Sequence, residues 1–293
     1  MIRSTSLKSL AIAASLLGLG GCATVREPGP SASAAPLATP PATMQYLYGS
    51  AEAAAASAQA YAALTGQVAA RLPRRASAVL AAGATLDRLR FAECGDRPTA
   101  VLFDMDETLV LNLGYEYDEA RSGASFDAAR WGRWEQSGAH AVSPAPGAVT
   151  ALTALRAMGV TPIVNSNRSA ANAKATAAAL TAAGLGDFRH GETMFLKGDV
   201  DGKSAKDGRR ALIAQRWCVI AMAGDQLGDF SDLFTGDPAA RRAAAQAPAV
   251  ASMWGSGWFI LPNPVYGSGV TGDWDQVFPM DKRWADPAGK GGR

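Results

Sequence analysis

Residues 100–110 read AVLFDMDETLV, four apolar side chains from Ala100 to Phe103 followed at once by Asp104, Asp106 and Glu107. A short apolar run closed by polar residues is the pattern of a strand buried on both faces of a parallel sheet. The same pattern recurs at Ile163-Val164, Met194 to Leu196, Val219 to Met222 and Trp258 to Leu261. Helical stretches lie between these runs, from Ala148 to Met158, Ala170 to Ala183 and Ala205 to Gln215. Strands alternating with helices predict an α/β fold with a parallel sheet flanked by helices. Pro162 is expected at the first residue of its strand, where a missing N–H is tolerated. Upstream, Tyr46, Ala53, Ala60, Tyr61, Leu64 and Val68 fall at helical spacing, and a helix over 46–72 is expected to stop at Pro73. A second helix is expected from Arg74 to Leu89. Open sheets of this kind bind ligands at the carboxyl ends of their strands, so the polar residues found there are the candidates for function.

Composition narrows the classes. The chain has 293 residues, 48% hydrophobic and 18% charged, enough for a substantial core. Its 28 Lys and Arg against 26 Asp and Glu give +2, and two of the basic residues, Arg3 and Lys8, lie in a leader. Without them 26 bases face 26 acids, which speaks against a nucleic-acid polymer as partner. Three cysteines form no disulfide framework, and two histidines, His140 and His190, exclude a three-histidine metal site.

The leader is basic at Arg3 and Lys8, apolar or small from Ser9 to Gly21, and ends at Cys22. The apolar run is shorter than the roughly 20 residues that span a bilayer and reads as a secretory signal, residues 1–21. Leu19-Gly20-Gly21-Cys22 resembles the bacterial lipobox, which makes Cys22 the lipidated N-terminus of an exported lipoprotein held on a membrane. Ala23, by resemblance to the enterobacterial sorting rule, implies the outer membrane. Residues 22–43, rich in Pro, Ala, Ser and Gly, read as a disordered tether, and the folded domain is expected over 44–293.

Four polar clusters follow the strands in order. The first is Asp104-Met105-Asp106, two carboxylates one residue apart that can divide nucleophilic and proton-transfer roles. The second is Asn165-Ser166-Asn167-Arg168, whose hydroxyl can donate to phosphate or simply cap a helix. The third is Lys203-Ser204-Ala205-Lys206, the fourth Gly224-Asp225-Gln226-Leu227-Gly228-Asp229-Phe230, with hard oxygens for Mg²⁺.

Taken together, the clusters resemble motifs I to IV of the haloacid dehalogenase-like superfamily. The run from Val101 to Val110, the Lys-Ser-Ala-Lys run and the Gly-Asp-x-Leu-x-Asp-Phe run are similar to those of its class C, lipoprotein-type acid phosphatases and 5'-nucleotidases. The likeness extends to Phe259-Ile260-Leu261-Pro262-Asn263-Pro264-Val265-Tyr266-Gly267. It implies a Rossmannoid core with a small helical cap over roughly 112–147, and an Mg²⁺-dependent phosphatase acting on small phosphomonoesters, nucleoside 5'-monophosphates among them. Asp104 would be the nucleophile and Asp106 the general acid/base. Ser166, Asn167 and Lys206 would bind phosphate, with Lys203 an outer contact. Asp104, Asp106, Asp225 and Asp229 would hold the metal. An acidic optimum follows from the need for a protonated Asp106.

The cap holds Tyr115, Tyr117, Phe126, Trp131 and Trp134. Tyr115, Trp131 and Trp134 are the candidates for stacking on a substrate base, and burial of the two tryptophans in the cap's own core is an equal alternative. Cys94 and Cys218 are expected to remain unpaired. A non-catalytic binding lipoprotein is the rival reading, opposed by the presence of all four aspartates. Transfer of phosphate to an alcohol instead of water stays open.

Overall fold

The computed structural model describes residues 39–200 and 202–286. The leader, Cys22 and most of the tether lie outside the described residues, as does the end of the chain from 287. Among the described residues no helix is long and apolar enough to cross a membrane. The last tether residues are already ordered into the domain, with a helical turn α1 (Ala42–Met44), a π-helical turn at Gln45–Gly49 and the long helix α2 (Ala51–Arg71). Ser50 caps α2 by accepting the Ala53 N–H at 3.1 Å.

The strands follow as β1 (Thr99–Phe103), β2 (Val110–Leu111), β3 (Ser143–Pro144), β4 (Thr161–Ser169), β5 (Met194–Lys197), β6 (Cys218–Gly224) and β7 (Trp258–Ile260). Five of them form one all-parallel sheet in the order β5-β4-β1-β6-β7, so β1 is central and flanked by β4 and β6. Alternate side chains of β1 point to opposite faces: Val101 and Phe103 join Tyr61, Leu64 and Val68 of α2, while Ala100 and Leu102 join Val219, Met222 and Trp258. Both faces are buried, which is why the strand reads as an unbroken apolar run. Helices α3 (Leu113–Ser122) and α4 (Ala128–Ser137), with the β2–β3 pair, form the cap. The remaining longer helices are α5 (Ala148–Ala157), α6 (Ala173–Ala182), α7 (Asp207–Arg216) and α8 (Pro238–Gln246).

Three expectations are corrected. Residues 74–89 are not helical. Arg75 takes a left-handed φ of 49°, and Leu80 bridges antiparallel to Phe91. Tertiary contacts override the local propensity: extended backbone lets the Ala78 N–H bond to the Val219 carbonyl at 2.7 Å and drops Ala78 and Val79 into the core. Pro162 is the second residue of β4, opposite Val101, because pairing with β1 already begins at Thr161. Cys94 and Cys218 form a disulfide across 124 residues. The coil before β1 returns beside the start of β6 and brings their Cα atoms to 4.6 Å, within bonding range.

Candidate active site

The acids of motif I leave the sheet at the end of β1 in a tight turn, where Leu109 and Val110 donate backbone N–H groups back to Met105. Glu107 occupies the turn's left-handed position at φ 54°, a conformation that costs a non-glycine residue roughly 1–2 kcal/mol. Its buried carboxylate offsets that cost by accepting the Asn112 N–H at 2.9 Å and the hydroxyls of Tyr48 and Tyr266. Desolvation, with Asp106 adding repulsion, pushes the Glu107 carboxyl up to about 8.

At the end of β6, Asp225 accepts from Thr108 at 3.2 Å, Gln226 at 3.0 Å and Asn263 at 2.8 Å. Asp229 lies one short turn later, its carboxylate held by the Gln226 N–H at 2.8 Å. Gly224 allows the close approach: a Cβ there would lie 2.3 Å from the Asp229 Cβ. Lys206 stands at the start of α7, where Asp232 accepts its N–H at 2.9 Å and pairs with Arg210 at 3.2 Å. Its ammonium bridges Asp104 and Asp229, the latter at 2.7 Å.

Asp104, Asp225 and Asp229 therefore bring three carboxylates within 4.8 Å of one another, all buried. Burial raises the Asp104 carboxyl well above its usual range; Lys206 opposes this, and Asp229 and Asp225 add to it. Burial and Asp229 likewise push Asp225 up to about 7. Burial works against the Lys206 charge, but the two aspartates outweigh it and hold the ammonium above its ordinary range. One ammonium does not neutralise three acids, and hard oxygen donors so arranged fit a small divalent cation.

Asp106 points elsewhere. Its Oδ1 accepts two N–H groups of Arg168, at 2.9 and 2.8 Å, and one from Asn112 at 3.0 Å. Among the described residues its Oδ2 has only the Ser166 hydroxyl, at 3.4 Å. Ser166 lies inside β4, which continues to Ser169, so it caps no helix; Ser169 does that, accepting the Ala171 N–H. Asn167 faces the cavity and turns its amide oxygen to Arg209 at 2.6 Å.

A cavity of about 770 Å³ opens above these groups, with Asp104, Asp106, Asn167, Lys206, Asp225 and Asp229 at its floor and Tyr115, Phe126 and Trp131 in its cap wall. Ser166 does not reach its surface. Trp134 is likewise absent from the wall: its indole donates to Asn112 at 3.2 Å and its ring fills the space against Gly114 and Gly138. Tyr115 lines the wall but is only 4% exposed, meeting Trp131 edge-on at 4.9 Å beneath the Arg130 guanidinium. It offers little free ring face. Arg168, Arg209, Asn112, Asn263 and Tyr266 carry much of the site's geometry. Arg168, Asn263 and Tyr266 lie inside the runs that follow apolar stretches of the sequence, whereas Arg209 and Asn112 bear no signature of their own.

A family model described as HAD superfamily, subfamily IIIB (acid phosphatase) matches residues 35–269. No curated protein matches the chain. Among solved structures, the class C acid phosphatase from Bacillus anthracis is similar with a TM-score of 0.64 and 23% identity, over 78% of this chain and 84% of that one. The tungstate-bound crystal structure of class C acid phosphatase from the same organism is similar with a TM-score of 0.64 and 21% identity, over the same shares. At these identities the likeness speaks for the fold.

Proposed function

Because the chain belongs to HAD subfamily IIIB, the acid phosphatases, and is a phosphomonoester hydrolase, we propose that Asp104 is its nucleophile, Asp106 its general acid/base and Mg²⁺ its metal. The observation that carries this reading is the buried triad of Asp104, Asp225 and Asp229 with Lys206 inside it, at the floor of a cavity large enough for a nucleotide. An Asp104 oxygen attacks phosphorus as the bond to the leaving oxygen breaks, and Asp106 gives that oxygen its proton. Asp106 then takes a proton from water, whose oxygen displaces Asp104 from phosphorus and yields phosphate. Lys206 holds Asp104 in place and neutralises charge on the transferring group. Asp104, Asp225 and Asp229 would hold Mg²⁺, with the Asp106 carbonyl as a further candidate oxygen, and a bound Mg²⁺ supplies positive charge to the phosphoryl oxygens. The test is phosphate release by the purified full chain from nucleoside monophosphates, sugar phosphates and an aryl phosphate, with Mg²⁺ and with chelator. Turnover equal in both conditions sinks the metal assignment.

A second expectation follows from the raised carboxyls of Asp104 and Asp225. A group whose folded-state pKa is raised contributes stability below its unfolded pKa and loses it as pH rises through the folded value. The metal-free protein is therefore expected to melt progressively lower between about pH 4 and 8. Saturating Mg²⁺ should raise the midpoint by roughly 5–10 °C at pH 8, from about 2.7 kcal/mol at a hundredfold excess over Kd. Calorimetry at pH 5 and pH 8 reads the difference, and a metal effect no larger at pH 8 counts against the triad as ligand set.

The reading extends to location and substrate. An exported, lipid-anchored enzyme is supported by the leader and Cys22 together with the Cys94–Cys218 bond, since stable disulfides belong to oxidising compartments. Cys22→Ser is expected to move the protein from the membrane to the soluble fraction, or to leave it unprocessed; unchanged lipid labelling contradicts the assignment. Nucleoside 5'-monophosphates remain the favoured substrates, with Trp131 the cap ring best placed to meet a base.

A further inference from the structure

The cavity that receives a phosphate ester is lined by far more acid than base. Beyond the phosphoryl end, Glu116, Glu119 and Glu135 of the cap also face it. Glu135 is satisfied by the Ser169 N–H at 3.1 Å and the Asn172 amide at 2.7 Å. Glu119 is paired with Arg130 at 3.1 Å. Glu116 is different. It is 4% exposed, and among the described residues no hydrogen bond or ion pair reaches its carboxylate. Burial, with repulsion from Glu119 and only partial relief from Arg130, pushes its carboxyl up to about 7. A buried acid without a partner gains most from a cation that a ligand brings.

The protein's own cations already use the neighbouring rings in this way, covering Tyr115 and one side of Trp131, and the rings left to a ligand are the cavity side of Trp131 and Phe126, whose centroids lie 6.5 Å apart. The Arg130 guanidinium lies 4.5 Å from the centroid of Tyr115, and Arg168 lies 5.7 Å from that of Trp131. Aromatic faces and carboxylates draw organic cations together, as in ammonium-binding cages. We propose that the outer end of the cavity is a leaving-group subsite for an organic ammonium, with Glu116 as counter-charge and Trp131 and Phe126 as walls. Phosphate esters of amino alcohols are then preferred over neutral esters of the same shape. This rests on the phosphomonoesterase reading and deepens it. The bonds broken and formed are the same, and the ammonium stays on the departing alcohol throughout.

The decisive pair of substrates is phosphocholine and 3,3-dimethylbutyl phosphate, in which carbon replaces the charged nitrogen. With the full chain in detergent and Mg²⁺, the ratio of their kcat/KM values is expected to be about tenfold or more, on the order of one partly screened ion pair. Glu116→Gln should bring that ratio within about twofold of one, and Glu116→Asp should keep part of it. A wild-type ratio near one, or an unchanged ratio in folded Glu116→Gln, overturns the subsite. If Glu116→Gln melts below the assay temperature, competition in the wild type decides. Choline should then inhibit hydrolysis of the neutral ester about tenfold more strongly than 3,3-dimethylbutanol, and equal inhibition overturns the subsite. Phosphate release from the neutral ester without discrimination leaves the phosphatase reading standing, and no release from either ester while an aryl phosphate is hydrolysed overturns the subsite alone; no release from the aryl phosphate either overturns both.

Discussion

Asp104→Asn is expected to lower kcat by roughly 10⁴-fold to 10⁶-fold while leaving the protein folded, a loss of the size seen when a covalent nucleophile is removed. The amide keeps the shape of the carboxylate but has no anionic oxygen to form the aspartyl-phosphate. Stability should change little, because two effects oppose each other. Lys206 loses one of its two carboxylate partners, and Asp225 and Asp229 lose a buried like charge. The measurements are turnover, a melting curve and trapping of labelled phosphoenzyme by acid quench. Turnover within tenfold of wild type in a folded Asp104→Asn protein assigns the nucleophile to another residue. Asp106→Asn, by contrast, should still form some phosphoenzyme with an activated aryl phosphate, since a good leaving group needs less protonation.

The largest effect on stability is expected from the Cys94–Cys218 bond. Closing a loop of 124 residues restricts the unfolded chain by about 5 kcal/mol in the chain-entropy model, an upper figure because real links deliver less. For a domain of this size each kcal/mol moves the melting midpoint by roughly 2–4 °C, so Cys94→Ser with Cys218→Ser should lower it by about 8–15 °C. Reduction of the wild type should match the double variant. A shift under about 2 °C would mean that the denatured ensemble is not restrained by the link.

The polar clusters were legible because each strand end changes abruptly from apolar to acidic or hydroxylated, as at Phe103-Asp104 and Ala223-Gly224-Asp225. Burial on both sheet faces leaves little freedom in those runs. The stretch 74–98 was not legible. Its Ala-rich composition favours helix locally, and only contacts with Val219 and the second core, far away in the chain, make it extended. The disulfide was hidden for the same reason, since the path of that stretch places Cys94. In the site, Asp104 and Lys206 announced themselves through their neighbours, while the Asp106–Arg168 clamp and the Asn112 bridge depend on how β4 and the cap meet. The cap aromatics divide by geometry that no spacing reveals: Trp131 and Trp134 are three residues apart, yet one lines the cavity and the other plugs the space against two glycines.

Glu107 and Asp225 both depend on residues near the end of the chain. Tyr266 donates its hydroxyl to Glu107, Asn263 donates its amide to Asp225, and Gln226 reaches the Tyr266 carbonyl at 3.3 Å. The turn after β1 is synthesised early and braced late, with about 160 residues made in between. Until residue 266 has been made, the turn that carries Asp104 and Glu107 lacks the Tyr266 hydroxyl, and Asp225 lacks the Asn263 amide. The turn after β1 therefore takes its last donors from a segment that follows every strand of the sheet, so the folding of the site waits on the whole sheet being laid down.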